Sequence, residues 1–317
     1  MARQPKAFLP RFITDSYEEF LGSAIDAVVI ATPAASHYKL ALRALQRDKH
    51  VLIEKPFTTN SEEALSLIRL AERKGLTLMV GHTYVYHPAV EFIKRMVQTG
   101  QLGPLYYLHA ARLNFGLLQS DVDVLWDLAP HDLSILLHIL GDEPVAVAAR
   151  GAAHINPNLC EIAHVDVEFL NSLLAHIHVS WLEPVKVRRL TLVGADATVV
   201  YDDTSAGQMV SVYNKGIRLD NADGGQALSP RYIQGDINIP FLAEGEALKI
   251  ECAHFLECIN TGQRPLSDGW EGHKVVRILE KAEQSLYNSG SFELLSPLVF
   301  AGRAEGSGLP AISLGAS

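Results

Sequence analysis

Apolar residues recur with two different spacings along this chain, and the change comes after Gly103-Pro104. Before that point, short apolar runs at Ala27–Ala31, Val51–Ile53 and Thr77–Val80 are typical of strands buried on both faces of a parallel sheet. Between these runs, apolar residues at helical spacing predict two helices. The buried faces are Leu40, Ala41, Ala44 and Leu45 in the first helix and Ala64, Leu67, Ile68 and Ala71 in the second. Alternating strands and helices predict an α/β fold with a doubly wound sheet.

Polar residues and one glycine mark the ends of these two predicted helices. Ser36 is predicted to cap the first helix, and Asn60 with Glu63 three residues later forms a predicted capping pair for the second. Gly75 is predicted to end the second helix, because glycine adopts the left-handed backbone of helix C-termini at little cost.

The later part of the chain predicts a different architecture. One buried helix ends at Gly141, and five or six strands follow between Val145 and about Asn214. In Ser172–Leu182, apolar and polar residues alternate, which indicates one covered face and one open face. The apolar face reads Leu173, Ala175, Ile177, Val179 and Trp181, and the polar face carries His176, His178 and Ser180. We therefore predict a second, α+β part with an open-faced, mostly antiparallel sheet. The buried positions of its first helix are Leu128, Leu133, Leu136, Leu137 and Leu140.

Two helices close this part of the chain. In the first of them, five apolar residues at helical spacing predict a buried stripe that includes Cys252 as a core residue. The predicted stripe consists of Leu248, Cys252, Phe255, Leu256 and Ile259. The segment from about Ser296 is rich in Gly, Ala, Ser and Pro and is predicted to be a flexible tail.

Composition narrows the class of protein. The chain has 317 residues, 48% of them hydrophobic, and 27 Lys and Arg against 36 Asp and Glu give a net charge of −9. An acidic chain without a basic block is not expected to bind nucleic acid or an anionic membrane. Its longest apolar runs are about five residues, whereas a membrane helix needs roughly 20. The 3 cysteines form no CxxC motif, so we predict a reducing, cytoplasmic location.

A lysine stands at the end of the second predicted strand. The segment His50–Pro56 reads HVLIEKP, which places Lys55 at the carboxyl end of a parallel strand, where ligands of open α/β sheets bind. A lysine there can donate to a substrate hydroxyl. An exposed strand-end lysine without a role is the alternative, and Lys55 alone does not decide between them.

A carboxylate and an imidazole stand four residues apart in the segment Trp126–Asp132, which reads WDLAPHD. On a helix, Asp127 and His131 share a face, so Asp127 is expected to fix the tautomer of His131 and to raise its basicity, as a proton-transfer histidine requires. The alternative is that Asp127 caps the helix and that His131 packs on a polar edge.

Four separated motifs together resemble the glucose–fructose oxidoreductase and inositol dehydrogenase family (Gfo/Idh/MocA). They are ATP-x3-H at Ala31–His37, EKP at Glu54–Pro56, D-x3-H at Asp127–His131, and GQRP at Gly262–Pro265 followed by Asp268-Gly269. The resemblance implies an incomplete dinucleotide-binding domain at residues 1–103, a sheet domain for substrate and oligomerisation at 104–295, and a tail at 296–317. It also implies hydride transfer between a nicotinamide cofactor, NAD or NADP with NAD slightly preferred, and a sugar carbon.

The same resemblance implies roles for individual residues. Thr32, Pro33 and His37 would border the nicotinamide, and Glu54 and Lys55 its ribose. Lys55 would also reach the reacting hydroxyl, Asp127 would orient the sugar, and His131 would be the acid–base group. The remaining candidates are His82 for the cofactor and Arg112 and Trp126 for the substrate.

The segment around Asp127 also suggests a substrate class. It is similar to a subgroup associated with nucleotide sugars and polysaccharides, so a nucleotide sugar is the expected substrate. Val122 and Asp123 replace the paired glycines of many relatives, which leaves the exact sugar open.

The dinucleotide fingerprint G-x-G-x-x-G does not occur where that family has it. A match at Gly306–Ala311 lacks a surrounding βαβ unit and is interpreted as chance. We therefore predict that the sequence is part of a longer protein, with about 30 or more further residues that form the first βαβ unit.

Three other interpretations remain open. Polar residues on the open sheet face suggest a weak metal site, although we predict no metal and interpret this face as the contact of a homo-oligomer, a dimer or tetramer. The enzyme could instead be a redox-neutral lyase or hydrolase that uses NAD transiently, or a non-catalytic binding relic. The residues of the metal alternative are His164, Asp166, Glu168, His176 and His178.

Overall fold

A computed structural model describes residues 12–116, 118–205, 207–221, 228–243 and 245–296. Most of the predicted tail and the Gly306–Ala311 match lie outside these residues. The described chain forms a parallel three-stranded sheet, a nine-stranded sheet and a two-stranded hairpin. Among the described residues, no helix combines the length and the apolarity that crossing a bilayer requires. The helices are α1 (Tyr17–Gly22), α2 (Ala34–Gln46), α3 (Ser61–Lys74), α4 (Pro88–Gln98), α5 (Val124–Leu140), α6 (Ala247–Thr261) and α7 (Gly269–Tyr287).

The three-stranded sheet, called the first sheet below, alternates strands with helices as the sequence predicts. Its strands are β1 (Ala27–Ile30), β2 (His50–Glu54) and β3 (Leu78–Gly81), in that spatial order and all parallel. The Asn60 side chain accepts hydrogen bonds from the backbone N–H groups of Glu62 and Glu63, and Gly75 ends α3 at φ +63°. Both predicted ends of α3 are therefore confirmed.

The predicted start of α2 is wrong. This helix begins at Ala34, with Pro33 as its N-cap residue at φ −57°, so Ser36 lies inside the first turn. The proline ring holds φ near the helical value, and the helix starts directly after it. The Ser36 hydroxyl instead donates to the Pro33 carbonyl at 2.7 Å, a local bond that serine often forms near helix ends.

The nine-stranded sheet, called the second sheet below, is antiparallel except for the pair of β4 and β7. Six of its strands lie between Val145 and Asn214, as predicted, and Ala175, Ile177 and Val179 of β7 point into the core. Its strands are β4 (Leu105–Phe115), β5 (Ala146–Ala152), β6 (Ile162–Glu168), β7 (Leu174–Ser180), β8 (Leu182–Gly194), β9 (Thr198–Asp202), β10 (Val210–Tyr213), β13 (Ile237–Asn238) and β14 (Glu293–Leu294). The hairpin consists of β11 (Gly216–Asn221) and β12 (Leu228–Ile233).

The last long helix joins the two sheets. α7 packs against α3 and β3 on one side and against α5 and β5 on the other. A Cβ on Gly272 would lie 2.6 Å from a methyl group of Val80, so glycine is what allows this close approach. Just before α7, the Ser267 hydroxyl donates to the Val80 carbonyl at 2.6 Å. One apolar core therefore runs from the first sheet into the second.

The predicted stripe on α6 is largely wrong. Leu248 and Leu256 are 50% and 58% exposed, and Cys252 is exposed as well, so this cysteine is not a core residue. The buried residues of α6 are Glu251, Phe255 and Cys258, which also have helical spacing. This face contacts the turn Thr83–Tyr86, where Thr83 donates to Glu251. The contact with the turn buries the Glu251 face of α6 and leaves Leu248 and Leu256 of the predicted stripe exposed.

Candidate active site

Lys55 and Asp127 meet where the first sheet faces α5. The Lys55 ammonium donates to Asp127 Oδ1 at 2.7 Å and to the Asp127 carbonyl at 2.8 Å. Both side chains are 19% exposed, so the pair is shielded yet open to a ligand. Lys55 stands at the carboxyl end of β2, the edge at which open α/β sheets bind their ligands. Lys55 is therefore paired and largely shielded and is not an exposed strand-end lysine.

A tryptophan holds the other oxygen of the Asp127 carboxylate. The Trp181 indole N–H donates to Asp127 Oδ2 at 3.0 Å, and Trp181 is only 2% exposed. Asp123, not Asp127, caps α5 by accepting from the backbone of Trp126. The alternative of a capping Asp127 is therefore wrong. Trp181 lies on the apolar face of the alternating segment Ser172–Leu182, and that alternation carries no sign of its bond to Asp127.

His131 lies one turn after Asp127 and is neutral. Burial lowers the pKa of His131 well below its usual value, and the nearby charges of Arg112 and Lys55 lower it further. Its Nδ1 has no hydrogen-bond partner among the described residues, and Tyr84 packs edge-on against the ring at 5.2 Å between centroids. The prediction that Asp127 raises its basicity is wrong, because the Asp127 carboxylate is turned toward Lys55 and Trp181. A neutral imidazole is the form that accepts a proton.

His82 follows β3 and is buried near Lys55. Its ring is 2% exposed, and neither nitrogen has a partner among the described residues. Burial lowers the pKa of His82 to about 4, with a further contribution from the charge of Lys55. His82 is therefore neutral at physiological pH.

Both other candidate substrate residues are engaged in internal contacts. Arg112 is buried, forms two 3.0 Å bonds to Asp132 and stacks over the Tyr84 ring at 4.5 Å. Trp126 is buried in the core, and its indole N–H donates to Glu283 at 3.3 Å. A different arginine, Arg188 on β8, bonds to Asp203 and keeps its side chain 35% exposed.

The candidate cofactor residues gather at the ends of β1 and β2. Thr32 and Pro33 are exposed where β1 ends, and the Glu54 carboxylate accepts from the Lys55 backbone at 3.3 Å. His37 is buried below them, with its two ring nitrogens 2.8 Å from the carbonyls of Thr32 and Pro56. An exposed hydroxyl, a carboxylate and an ammonium at this edge fit a nicotinamide and its ribose, whose hydroxyls and amide need such partners.

Sequence reasoning missed a buried glutamate at the same edge. Glu251 comes from α6 and accepts from the Thr83 hydroxyl at 2.8 Å, while its other oxygen has no partner among the described residues. Burial raises the pKa of Glu251 to about 7, the Thr83 bond lowers it in part, and the charge of Glu54 adds to the rise. No motif marked this residue, because it lies beside Glu54 only through the packing of α6.

The histidines on the open sheet face stack on one another. His164 and His178 stack at 4.1 Å between ring centroids, and His176 pairs with Asp166 at 2.7 Å. Across the described ranges, no group of three or more His, Cys, Asp or Glu side chains is arranged to hold a metal ion. The metal alternative thus finds no support at this surface.

Trp181→Phe is expected to lower kcat by about tenfold, because a hydrogen bond to a charged group contributes about 1.5–3 kcal/mol and the Asp127 carboxylate loses its fixed orientation. Steady-state kinetics with an accepted sugar measure the change. Trp270→Phe is the matched control, since the Trp270 indole donates to Glu72 away from the site. Equal rates for the two variants would exclude a positioning role for Trp181.

Comparisons with known proteins identify relatives for both sheets. A family model described as oxidoreductase family, NAD-binding Rossmann fold, matches residues 6–82. A second model, the GFO/IDH/MocA C-terminal domain, matches residues 90–200. The chain is 32% identical over 253 residues to UDP-N-acetylglucosamine 3-dehydrogenase of Acidithiobacillus ferrooxidans, which covers 80% of this chain and 76% of that protein.

Solved structures that resemble this chain are also dehydrogenases or their homologs. A crystal form of the same Acidithiobacillus ferrooxidans enzyme superposes with a TM-score of 0.72 at 28% identity, covering 87% of this chain and 82% of that one. An inositol dehydrogenase homolog from Azotobacter vinelandii, complexed with NADH and myo-inositol, has a TM-score of 0.72 at 19% identity and covers 88% and 81%. At that identity the second likeness shows a shared fold alone.

Proposed function

Because the chain belongs to the Gfo/Idh/MocA oxidoreductase family, we propose that it transfers a hydride between a nicotinamide cofactor and one carbon of a nucleotide-linked sugar. Family membership makes it a nicotinamide-dependent, sugar dehydrogenase-like oxidoreductase. The observation that carries the proposal is the Lys55–Asp127 contact beside the neutral His131. These groups place a proton donor and a proton acceptor at the carboxyl end of a parallel sheet.

Residues at the ends of β1 and β2 would hold the nicotinamide and its ribose. Thr32 and Pro33 would border the ring, Glu54 and Lys55 would bond to the ribose, and His37 would fix the backbone beneath them. The bound nicotinamide supplies the acceptor or donor of the hydride. We favour NAD slightly over NADP.

The chain's own side chains would handle the proton. Lys55 donates to the substrate hydroxyl and keeps it aligned, while Asp127 balances the charge of Lys55 and accepts from a neighbouring hydroxyl. In the oxidation direction, neutral His131 accepts the hydroxyl proton as the carbon loses its hydride. In reduction, the same imidazole returns the proton to the carbonyl oxygen.

A nucleotide sugar is the substrate class that we favour. The relative at 32% identity is named for UDP-N-acetylglucosamine. Arg188 offers a partly exposed guanidinium that lies close enough to His131 for its charge to lower the pKa of that ring. Arginine suits phosphate or carboxylate oxygens because its planar donors match their geometry.

Turnover of a sugar panel tests this function. We expect the purified full chain to reduce NAD with a UDP-linked sugar and not with free myo-inositol, followed by the absorbance of the reduced nicotinamide. The panel contains UDP-N-acetylglucosamine, its uronate and myo-inositol, each with NAD and with NADP. Product formed without net reduction would favour the redox-neutral lyase or hydrolase, and absence of any product would favour the binding relic.

A further inference from the structure

Polar side chains form a line along one face of α5. Asp127, His131, Ser134 and His138 are spaced four, three and four residues apart, which places them one above another on the helix. The neighbouring residues Leu133, Ile135, Leu136 and Ile139 are at most 1% exposed. The line starts at the candidate active site and ends at His138, whose Nε2 lies 3.4 Å from Lys94 Nζ and 3.5 Å from Glu91. Of these four side chains, His131 alone has a buried nitrogen without a partner among the described residues, and an unpaired buried polar group is costly.

A cavity of about 200 Å³ lies along the far half of this line, between α4, α5 and α7. Exposed Gly141 and Leu266 stand at its rim, so solvent reaches it. A polar cavity of this size has room for several water molecules. Its polar lining consists of His82, Lys94, Ser134, His138, Ser267, Glu271 and Lys274.

The ring of His82 lies between this cavity and the turn that packs against His131. His82 lines the cavity and directly precedes the turn Thr83–Tyr86, and the Tyr84 ring of that turn packs against the His131 ring. Neither nitrogen of the His82 ring has a hydrogen-bond partner among the described residues, although the ring is 2% exposed. A neutral imidazole carries one N–H and one acceptor nitrogen, so it can take a proton on one side and release one on the other.

We propose that His82 relays the proton of the reaction between His131 and water in this cavity. In the oxidation direction the substrate hydroxyl loses its proton to His131, and the hydride leaves with the cofactor. His131 then passes the proton to one nitrogen of His82, the opposite nitrogen gives its proton to water, and both rings return to their neutral forms. The titratable groups near His82 are Lys55 and His131 at the candidate active site and those that line the cavity, which are Lys94, His138, Glu271 and Lys274. The proposal rests on the dehydrogenase function.

Removing the His82 imidazole should slow turnover and leave the other residues of the candidate active site in place. His82→Gln in the full chain is expected to lower kcat on the order of 10²-fold in dilute buffer, at the low end of what proton transfer by a side chain contributes. Added imidazole should restore most of this loss, because a soluble base replaces the missing one. His273→Gln is the matched control, since His273 is equally buried, has an unpartnered Nδ1 and lies outside the cavity. A loss that imidazole leaves unchanged would overturn the relay.

Nitrogen NMR of the protein without substrate gives a second test that does not depend on activity. With ¹⁵N-histidine labelling, His82→Gln identifies the His82 signals by their loss. A relay predicts averaged shifts for the two nitrogens, because the ring exchanges protons with cavity water, and a single locked tautomer contradicts it. Failure of the proposed function would instead appear as absent turnover of the wild-type chain, so the two failures are distinguishable.

Discussion

Lys55→Met is expected to reduce kcat by about 10²–10⁴-fold with the sugar that the wild-type chain accepts, the range that positioned proton donors contribute. Methionine fills a similar volume but cannot donate to the substrate hydroxyl. It also leaves Asp127 with Trp181 as its remaining side-chain partner, so the carboxylate loses its compensating charge. Single-turnover hydride transfer, followed by the absorbance of the reduced nicotinamide, measures the loss directly.

The control for this variant is Lys39→Met on the exposed side of α2. The same chemical change there removes one surface charge and should leave kcat unchanged. If both variants keep the wild-type rate while they remain folded by circular dichroism, Lys55 does not take part in the reaction.

His131→Asn is expected to have an effect of similar size, about 10²–10⁴-fold, because the acceptor of the hydroxyl proton is lost. The pH dependence gives the sharper result. The pKa of His131 lies well below its usual value, so the ring remains an effective base from neutrality to below pH ~6.5. Oxidation by the wild-type chain should therefore fall only when the pH drops through this lowered pKa, and the variant should lose that acid limb.

His154→Asn serves as the control because His154 is exposed. It should keep both the rate and the acid limb of the wild type. An acid limb that persists in His131→Asn would assign the titration to another group and leave His131 without a role as base.

The strands could be predicted, and the candidate site residues could be located, because each depends on local pattern. Apolar runs predicted the first sheet, alternation of apolar and polar residues predicted β7, and short motifs drew attention to Lys55 and Asp127. These features follow from the periods of strands and helices and from the edge at which parallel strands end. They can be predicted without knowing which distant parts of the chain contact one another.

The errors have a common physical origin in tertiary packing. Periodicity on α6 identified an apolar face, but contact with Thr83 selected the face of Glu251. Spacing on α5 paired Asp127 with His131, whereas a lysine 72 residues earlier holds its carboxylate instead. Sequence spacing shows which side chains share a helix face, and it does not show which partners face them from other elements.

The bridging position of α7 has a consequence for the order of events during synthesis. Val80 of the first sheet receives the Ser267 hydroxyl from a residue 187 positions later. At about 5–20 residues per second, the ribosome adds those residues in roughly 10–40 s. Throughout that interval, the strands that carry Lys55 exist without the helix that completes their core. The sheet edge that carries the candidate site is therefore synthesised well before the helix that completes its core.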